Sequence, residues 1–235
     1  PAALSAVLSL KKPSDFKGYR EKAQPAAQQE DKMRYPIAGN RFPAGQSTGN
    51  QQNMKFVEAH NLLFRQFIEA EDIRRRVEEL GAELRSRYAG KMPVFLGVLN
   101  GAFMFTADLV RAFGDNCEIS FIKLSSYRDM QSTGDVSTLI GLEIDLCGRQ
   151  VVIVEDIVDS GKTLHSLLPK LEQLDTESIE IAALLQKPEM MEYPLDIGYA
   201  GFRIPPHFVI GYGLDFNGVG RQLPDIYQLF EDESV

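Results

Sequence analysis

One stretch of the chain, residues 151–164, constrains the fold more than any other. It begins with an apolar run at 151–154, continues with the adjacent carboxylates Glu155 and Asp156, and passes through a short loop of small and polar residues into a helical pattern. A continuous apolar run is typical of a strand that is buried on both faces of a parallel sheet. The stretch therefore predicts an α/β fold in which a central strand leads into a polar loop and then a helix.

Strands and helices alternate along the rest of the chain. Its 235 residues, 44% of them hydrophobic, are enough for one α/β domain with a sizeable core. We expect a mostly parallel, twisted sheet that is flanked by helices. The predicted helices cover residues 71–88, 103–113 and 161–174, the predicted strands cover 93–99, 118–125, 139–146, 151–154, 178–185, 196–200, 207–212 and 226–229, and a loop is predicted at 128–138.

The first 53 residues differ in composition from the rest, since they are rich in Ala, Gln, Pro, Gly and Asn. Such a segment buries too little apolar surface to offset its ordering entropy. We expect residues 1–53 to be a disordered N-terminal extension and residues 54–235 to form the folded domain, with Met54 as a candidate natural start. A transit peptide is the alternative for the extension, although its four acidic residues disfavour this reading.

Charge and cysteine content narrow the classes of partner. The formal net charge is -8 and the isoelectric point is about 5.0, which disfavours nucleic acid or an anionic membrane as the main partner. The two cysteines, Cys117 and Cys147, form no CxxC pair, which favours a reducing compartment. No apolar run reaches the length of a membrane span. We therefore expect a cytoplasmic protein without a nucleic-acid or membrane partner.

The loop after the acid pair has the residues of a phosphate site. Ser160, Gly161 and Thr163 lie where a helix begins, so free backbone N–H groups and the helix dipole can bind a phosphate. Residues 161–163, Gly-Lys-Thr, also match the end of the P-loop motif of nucleotide hydrolases, with Lys162 at the position of the motif's lysine. That motif needs a glycine five positions before Gly161, where this chain has Asp156, and a carboxylate there would repel a triphosphate.

The acid pair instead suits a sugar. Carboxylates such as Glu155 and Asp156 accept hydrogen bonds from vicinal hydroxyls, directly or through a metal-bound water. For either acid alone, a solvated carboxylate at a strand end is the simpler interpretation. The combination of strand, acid pair, Asp159 and small-residue loop favours a phosphorylated sugar as ligand.

Five segments of the chain resemble motifs of the hypoxanthine(-guanine) phosphoribosyltransferases, which are type I phosphoribosyltransferases. The segments follow one another in the order that the family has. Residues 151–164 resemble the family's phosphoribosyl-diphosphate-binding motif, and the resemblance extends over about residues 57–229. It implies the type I fold, with a small hood built from the N-terminal part of this region and the C-terminal strands. The other four segments are 99–102, 125–127 with 131–135, 185–188, and 208–215 followed by Arg221.

The resemblance implies a magnesium-dependent transfer of 5-phosphoribosyl from its 1-diphosphate to a 6-oxopurine, with hypoxanthine as first choice and guanine next. Glu155 and Asp156 are implied to bind the ribose hydroxyls with Mg²⁺ nearby. Asp159 is implied to be the general base near N7 of the purine. The loop implied to wrap the 5′-phosphate begins at Asp159 and contains Ser160, Gly161, Lys162 and Thr163.

Asn100, Gly101 and Arg221 are implied to bind the diphosphate. Residues 99–101 match a loop whose backbone amides face the leaving group across a cis peptide. Many members have Lys where this chain has Asn100, so backbone donors and magnesium would act here without that cation. A planar guanidinium at Arg221 suits phosphate oxygens, although a solvated arginine is the simpler interpretation of this residue alone.

Four residues are implied to bind the purine. Lys187 would donate to the 6-oxo group and so select oxopurines over adenine, Phe208 would stack on the base, Val209 would contact it through the main chain, and Asp215 would hold a second magnesium near the 2-position. Without the resemblance, Lys187 would be a solvated lysine at a strand end and Phe208 a core aromatic.

The polar run from Ser126 and Tyr127 to about residue 138 resembles the family's mobile lid, and a long hairpin loop is the alternative. A homodimer or homotetramer is also implied. Three other functions stay open: an RNA-binding regulator of pyrimidine genes with the same fold, a transferase for xanthine, and an inactive homologue. The acidic composition disfavours the first, and the complete set of acids with Lys187 disfavours the last.

Overall fold

The computed structural model describes residues 55–126 and 137–230. The described residues divide into two compact units, one of residues 55–70 with 207–230 and the other within Glu71–Pro206. The expected extension at residues 1–53 lies outside the described residues, and so does most of the expected lid, including Tyr127.

Three helices and ten strands follow one another along the described part of the chain. They are β1 (Phe56–Ala59), β2 (Leu62–Ile68), α1 (Ala70–Tyr88), β3 (Val94–Leu99), α2 (Phe103–Phe113), β4 (Glu118–Ser126), β5 (Ser137–Ile140), β6 (Gln150–Val158), α3 (Lys162–Glu172), β7 (Ser178–Gln186), β8 (Tyr199–Arg203), β9 (Val209–Ile210) and β10 (Ile226–Leu229), with a 3-10 turn at Pro188–Met190.

The unit of Glu71–Pro206 contains a six-stranded sheet with the order β5-β4-β3-β6-β7-β8. The neighbours from β4 to β8 pair in parallel, whereas β5 pairs with β4 antiparallel. This confirms the expected mostly parallel sheet. Strand β6, which carries the acid pair, lies inside the sheet between β3 and β7. Residues 151–154 are therefore buried, which explains why this part of the sequence is a continuous apolar run.

The helices of this unit form because their apolar residues recur on one face. In α1, Ile73, Val77, Leu80, Leu84 and Tyr88 are all buried, as their spacing predicts. Acidic residues in the first turn and arginines in the last complement the helix dipole. Two guanidinium nitrogens of Arg76 on α1 also donate to edge strand β8, at 2.9 Å to the Ala200 carbonyl and 3.1 Å to that of Gly201.

Helix α3 follows the polar loop directly and packs its leucines into the core. Leu164, Leu167 and Leu171 are buried, and Pro169 lies inside the helix. These leucines join the strand residues in one hydrophobic cluster that holds the acid-bearing strand against the helix. The buried members of this cluster include Val94, Leu96, Ile122, Leu146, Val151, Ile153 and Ile181.

The prediction of a strand at 139–146 is wrong in its extent, because β5 ends at Ile140. The apolar residues beyond it still reach the core without joining the ladder: Leu146 is 1% exposed, and Leu142 and Ile144 pack against the cluster. The chain leaves the sheet at Gly141, whose φ of +100° lies outside the range of a β-strand. A turn follows farther along, in which the Asp145 carboxylate accepts from the Cys147 N–H at 2.9 Å. An alternating apolar pattern does not distinguish a strand from such a packed loop.

The second unit contains a four-stranded antiparallel sheet with the order β1-β2-β10-β9. It is built from the two chain segments that were expected to supply the hood. The hairpin β1–β2 was not predicted, because its turn at His60 and Asn61 has positive φ at both residues without a glycine to mark it. Its core contains Val57, Ala59, Phe64, Ile210, Phe216, Leu223 and Tyr227.

The other boundary differences are small. β8 begins at Tyr199 and not at residue 196, and β9 is limited to Val209–Ile210 because Gly211 turns away to bridge Leu214. Among the described residues, none of the helices combines the length and apolarity that a membrane crossing needs.

Candidate active site

The acid pair lies in the last part of β6 and not after its end. The strand continues past Glu155 and Asp156 because β7 extends the ladder, with Ile157 opposite Leu185. Glu155 is buried at 7% exposure, whereas Asp156 is half-buried. A buried carboxylate is costly unless polar groups surround it, so this end of the strand is built for polar contacts.

The loop that follows β3 meets the acid pair. The Leu99–Asn100 peptide is cis, as the resemblance implies. A Cβ added to Gly101 would lie 1.5 Å from Oδ2 of Asp156, so the carboxylate occupies the space where any other residue would place its side chain. The structure therefore places the Asp156 carboxylate, one of the two expected ribose-binding acids, directly against the expected diphosphate loop.

The expected phosphate loop connects β6 to α3. Gly161 has φ of +79° in the left-handed region, which allows the chain to turn sharply into the helix. Its ideal Cβ would lie 2.7 Å from the carbonyl oxygen of Tyr193, so both the conformation and the space require glycine. Gly161 at the N-cap has no side chain to cap α3, and the Lys162 N–H at the start of the helix donates to the Ser160 hydroxyl oxygen at 3.4 Å. The N–H groups that follow in the first turn are suited to a ligand such as phosphate.

Lys187 and Asp159 form an ion pair beside this loop. The Lys187 ammonium lies 3.3 Å from Oδ2 of Asp159, and the two side chains are 6% and 29% exposed. The backbone N–H of Lys187 donates to the Val158 carbonyl at 2.9 Å, which fixes the start of the segment after β7 beside the end of β6. Oδ1 of Asp159 is buried and has no hydrogen-bond partner among the described residues, so it is placed to accept from a ligand.

In the other unit, Asp215 and Arg221 form a second ion pair. The Arg221 guanidinium donates to Oδ1 of Asp215 at 2.6 Å and to the Gly213 carbonyl at 2.5 Å. The Gly218 N–H donates to the other oxygen of Asp215 at 2.7 Å. The loop between β9 and β10 thus holds the two residues that were expected to bind metal and diphosphate against each other.

Phe208 and Val209 lie before this loop, with Val209 as the first residue of β9. Val209 is buried and pairs with Gln228 in the sheet. Phe208 is half-buried and packs edge-on against Phe216, with ring centroids 5.5 Å apart. The Phe208 ring thus belongs partly to the hydrophobic core and keeps some surface for contact with a planar ligand.

The expected lid begins where β4 meets β5. The backbone of Ser126 pairs with that of Ser137 at the junction of β4 and β5, and Tyr127 with the residues up to 136 lies outside the described part of the chain. The lid stays a prediction.

Sequence reasoning missed the segment that supports the phosphate loop. The N–H groups of Glu192 and Tyr193 both donate to the carbonyl oxygen of Ser160, each at 3.1 Å. Any residue except proline can supply a backbone donor, so no motif marks these positions.

The carboxylates of the larger unit suit a magnesium ion. Among the described residues, no group of three or more His, Cys, Asp and Glu side chains could by itself hold a metal. Mg²⁺ is commonly bound by one or two carboxylates, with water and substrate oxygens completing six ligands. Glu155 and Asp156 fit this donor set, with the Asp156 carboxylate lying against the backbone of the expected diphosphate loop.

Comparison with known proteins agrees with this geometry. The family model described as phosphoribosyl transferase domain matches residues 66–217. The chain is 37% identical over 164 residues to the hypoxanthine-guanine phosphoribosyltransferase of Aquifex aeolicus, covering 69% of this chain and 92% of that protein. It is 43% identical over 154 residues to the hypoxanthine phosphoribosyltransferase of Buchnera aphidicola, covering 64% and 87% of the two chains.

Solved structures give the same result. A hypoxanthine phosphoribosyltransferase from Staphylococcus aureus superposes with a TM-score of 0.65 at 38% identity, covering 70% of this chain and 90% of that one. The hypoxanthine phosphoribosyltransferase of Trypanosoma cruzi has a TM-score of 0.64 at 34% identity, covering 71% and 97%. The chain therefore belongs to the type I phosphoribosyltransferase family, among the hypoxanthine(-guanine) phosphoribosyltransferases.

Proposed function

We propose that this enzyme transfers the 5-phosphoribosyl group of 5-phosphoribosyl 1-diphosphate to hypoxanthine, and also to guanine, as a step of purine salvage. The products would be inosine or guanosine monophosphate and diphosphate. The observation that carries this proposal is the contact between Lys187 and Asp159 at 3.3 Å, directly beside the phosphate loop. The names of the relatives, hypoxanthine-guanine and hypoxanthine phosphoribosyltransferase, support the same reaction.

The donor would be bound at the end of β6. The amides of residues 160–163 and the dipole of α3 suit the 5′-phosphate. Glu155 and Asp156 would accept hydrogen bonds from the ribose hydroxyls. The Asp156 carboxylate lies against Gly101, so the ribose and the diphosphate loop at Asn100 and Gly101 would be adjacent, as they must be in one substrate molecule.

The purine would be recognised by its 6-oxo group and its N7 proton. The Lys187 ammonium can donate to a carbonyl oxygen, whereas the exocyclic amine of adenine would present N–H donors to it, so adenine is disfavoured. Oδ1 of Asp159, buried and without a partner among the described residues, is suited to accept the N7 proton. As N9 forms its bond to C1′, the C1′–oxygen bond breaks with its electron pair passing to the diphosphate, and the proton moves to Asp159.

The remaining roles follow the resemblance. We propose that Phe208 stacks on the base, that Val209 contacts it through its main chain, and that Arg221 pairs with the diphosphate. The Asp215–Arg221 ion pair supports the last role, because it holds the guanidinium in a fixed position before the substrate arrives.

Magnesium would be held by Glu155 and Asp156 together with oxygens of the donor, and a second ion by Asp215. When bound, it would neutralise charge on the leaving diphosphate. The lid from Ser126 and Tyr127 onwards would exclude water while C1′ carries positive charge.

Residues 1–53 would be an N-terminal extension, and residues 54–235 the phosphoribosyltransferase domain. The enzyme would act as a homodimer or homotetramer. It would work in the reducing cytoplasm, where its two cysteines, both free in the structure, stay reduced.

The direct test is an assay with the purified protein, magnesium, the donor and each purine in turn, followed by ultraviolet absorbance and by diphosphate release. We expect turnover with hypoxanthine and guanine and none with adenine. Absence of diphosphate release with every base would refute the function. A gel shift with pyrimidine-operon leader RNA tests the RNA-binding alternative, for which we expect no shift. Turnover with xanthine alone would favour the other alternative.

A further inference from the structure

The phosphate loop rests on a second segment of the chain, residues 187–195, which we call the buttress. Lys187 begins the buttress and is followed by the 3-10 turn Pro188–Met190. The other end is attached to the hydrophobic core, because Met191 and Leu195 pack against the cluster of the larger unit. The buttress is therefore fixed at both ends.

Two hydrogen bonds join the buttress to the loop at one atom. The N–H groups of Glu192 and Tyr193 converge on the carbonyl oxygen of Ser160, each at 3.1 Å. The Ser160–Gly161 peptide is trans, so its carbonyl oxygen and its N–H point in opposite directions within one plane. Because the oxygen is held towards the buttress, the N–H of Gly161 is directed away from it, to the side where a phosphate can be bound.

Close packing leaves this peptide little freedom. The ideal Cβ of Gly161 would lie 2.7 Å from the Tyr193 carbonyl oxygen and 3.1 Å from a methyl carbon of Leu195. The loop backbone thus lies directly on the buttress. Donation to its carbonyl also polarises the peptide group and strengthens the N–H as a donor.

One side-chain contact completes the attachment. The ring of Tyr193 stacks on that of His165, with centroids 4.6 Å apart and planes 30° apart. His165 lies in the first turn of α3, where its N–H donates to the Gly161 carbonyl at 2.9 Å. The stack therefore ties Tyr193 to the helix whose N-terminal amides would bind the phosphate.

We infer that Tyr193, through its stack on His165, is a positioning residue for the 5′-phosphate of the donor. It holds the buttress in the place where its amides fix the Ser160 carbonyl, and this orients the Gly161 N–H before the substrate arrives. The inference rests on the proposed function for the identity of the phosphate, and it adds to that function a residue that does not touch the substrate.

The test compares Tyr193→Ala and His165→Ala, which each remove one half of the stack, with Tyr193→Phe, which keeps it. The exposed Asp196, just beyond the buttress, supplies the control Asp196→Ala. The measurements are KM for the donor, KM for hypoxanthine, kcat, the melting temperature, and the Kd of ribose 5-phosphate by calorimetry.

We expect both alanine variants to raise the donor KM and the ribose 5-phosphate Kd by about tenfold, the factor that corresponds to about 1.4 kcal/mol. KM for hypoxanthine should stay within about twofold of its value in the unaltered protein. The Tyr193→Phe variant should bind the donor as the unaltered protein does, because it keeps the ring stack. Unchanged ribose 5-phosphate binding in both variants, or equal losses for donor and base, would overturn the inference. Because His165 is exposed, its variant keeps the test valid if Tyr193→Ala does not fold.

The calorimetric measurement separates this inference from the function itself. If the unaltered protein made no nucleotide, the proposed function would fail. Weaker ribose 5-phosphate binding in the two alanine variants would then still support the positioning role.

Discussion

The Lys187 ammonium lies 3.3 Å from Oδ2 of Asp159, although 28 residues separate them in the chain. The contact arises because β6 and β7 are parallel neighbours, with Val158 opposite Gln186. The residue after each of these two positions therefore lies at the same edge of the sheet. The residue expected to choose the base and the residue expected to take its proton are thus in contact with each other, close enough for both to reach one edge of a purine as proposed.

Replacing the proposed general base should reduce turnover far more than donor binding. Asp159→Asn removes the proton acceptor but keeps the size of the side chain, so we expect kcat to fall by about 10²- to 10⁴-fold. The donor KM should change by less than about threefold, because the phosphate and ribose contacts remain. Steady-state kinetics with hypoxanthine measures both. The matched control is Asp175→Asn, an exposed residue that has positive φ, which asparagine tolerates. Near-normal kcat in Asp159→Asn would show that another group accepts the proton.

Removing the charge at Lys187 should weaken the choice between oxopurines and adenine. Lys187→Met keeps an unbranched chain in this buried position but cannot donate to the 6-oxo group. We expect kcat/KM for hypoxanthine to fall by about 10²-fold, with a much smaller change for adenine, since the lost hydrogen bond involves a charged donor. Competition assays with the two bases give the ratio directly. An unaltered ratio of kcat/KM for hypoxanthine to that for adenine would show that Lys187 does not select the base.

Gly101→Ala should disrupt the donor site while the fold remains intact. The added Cβ would lie 1.5 Å from Oδ2 of Asp156, so the carboxylate must move away from its place beside the diphosphate loop. We expect kcat/KM for the donor to fall by at least about 10²-fold, because small displacements of positioning groups are costly.

Gly198→Ala is the matched control for this variant. Its added Cβ would also meet a carboxylate oxygen, at 2.7 Å from Oε2 of Glu180, but that side chain is long and can swing aside. Circular dichroism should show both proteins folded. Equal activity of the two variants would mean that the position of Asp156 is not critical.

Asp225 should stabilise the smaller unit. It is 5% exposed, and its carboxylate accepts from the N–H of Ala70 at 2.7 Å and from the hydroxyl of Tyr227 at 3.1 Å. Asp225→Ala leaves both donors without this acceptor, so we expect a loss of about 2–3 kcal/mol in the free energy of unfolding. Tyr227→Phe removes one bond and should cost about 1 kcal/mol. Urea denaturation measures both, and equal midpoints for Asp225→Ala and the unaltered protein would contradict this role.

Much of the larger unit follows from sequence pattern, for a physical reason. Buried parallel strands and amphipathic helices impose a long-range constraint on residue type, so the extents of α1, β3 and β7 were predicted to within one or two residues. The smaller unit was harder, because its strands are short and its first hairpin turn lacks glycine. The end of β5 was missed because a packed loop and a buried strand present the same apolar residues.

The candidate site also has a part that the sequence predicted and a part that it did not. Residues that act through their side chains, such as Asp159 and Lys187, carry a pattern that resembles a known family, and the structure brings these two together. Contacts made by the backbone, such as those from Glu192 and Tyr193 to Ser160, depend on where the chain runs. Such backbone contacts can be identified only in the three-dimensional structure.

The contacts of Arg76 with the last strand of the larger sheet have a consequence for solubility. β8 ends the strand order, and the unpaired backbone of a terminal strand can recruit a strand from another molecule. The guanidinium occupies the carbonyl groups of Ala200 and Gly201 and places a charge beside them. A strand from another molecule would therefore have to displace this side chain of α1 before it could pair with these carbonyl groups.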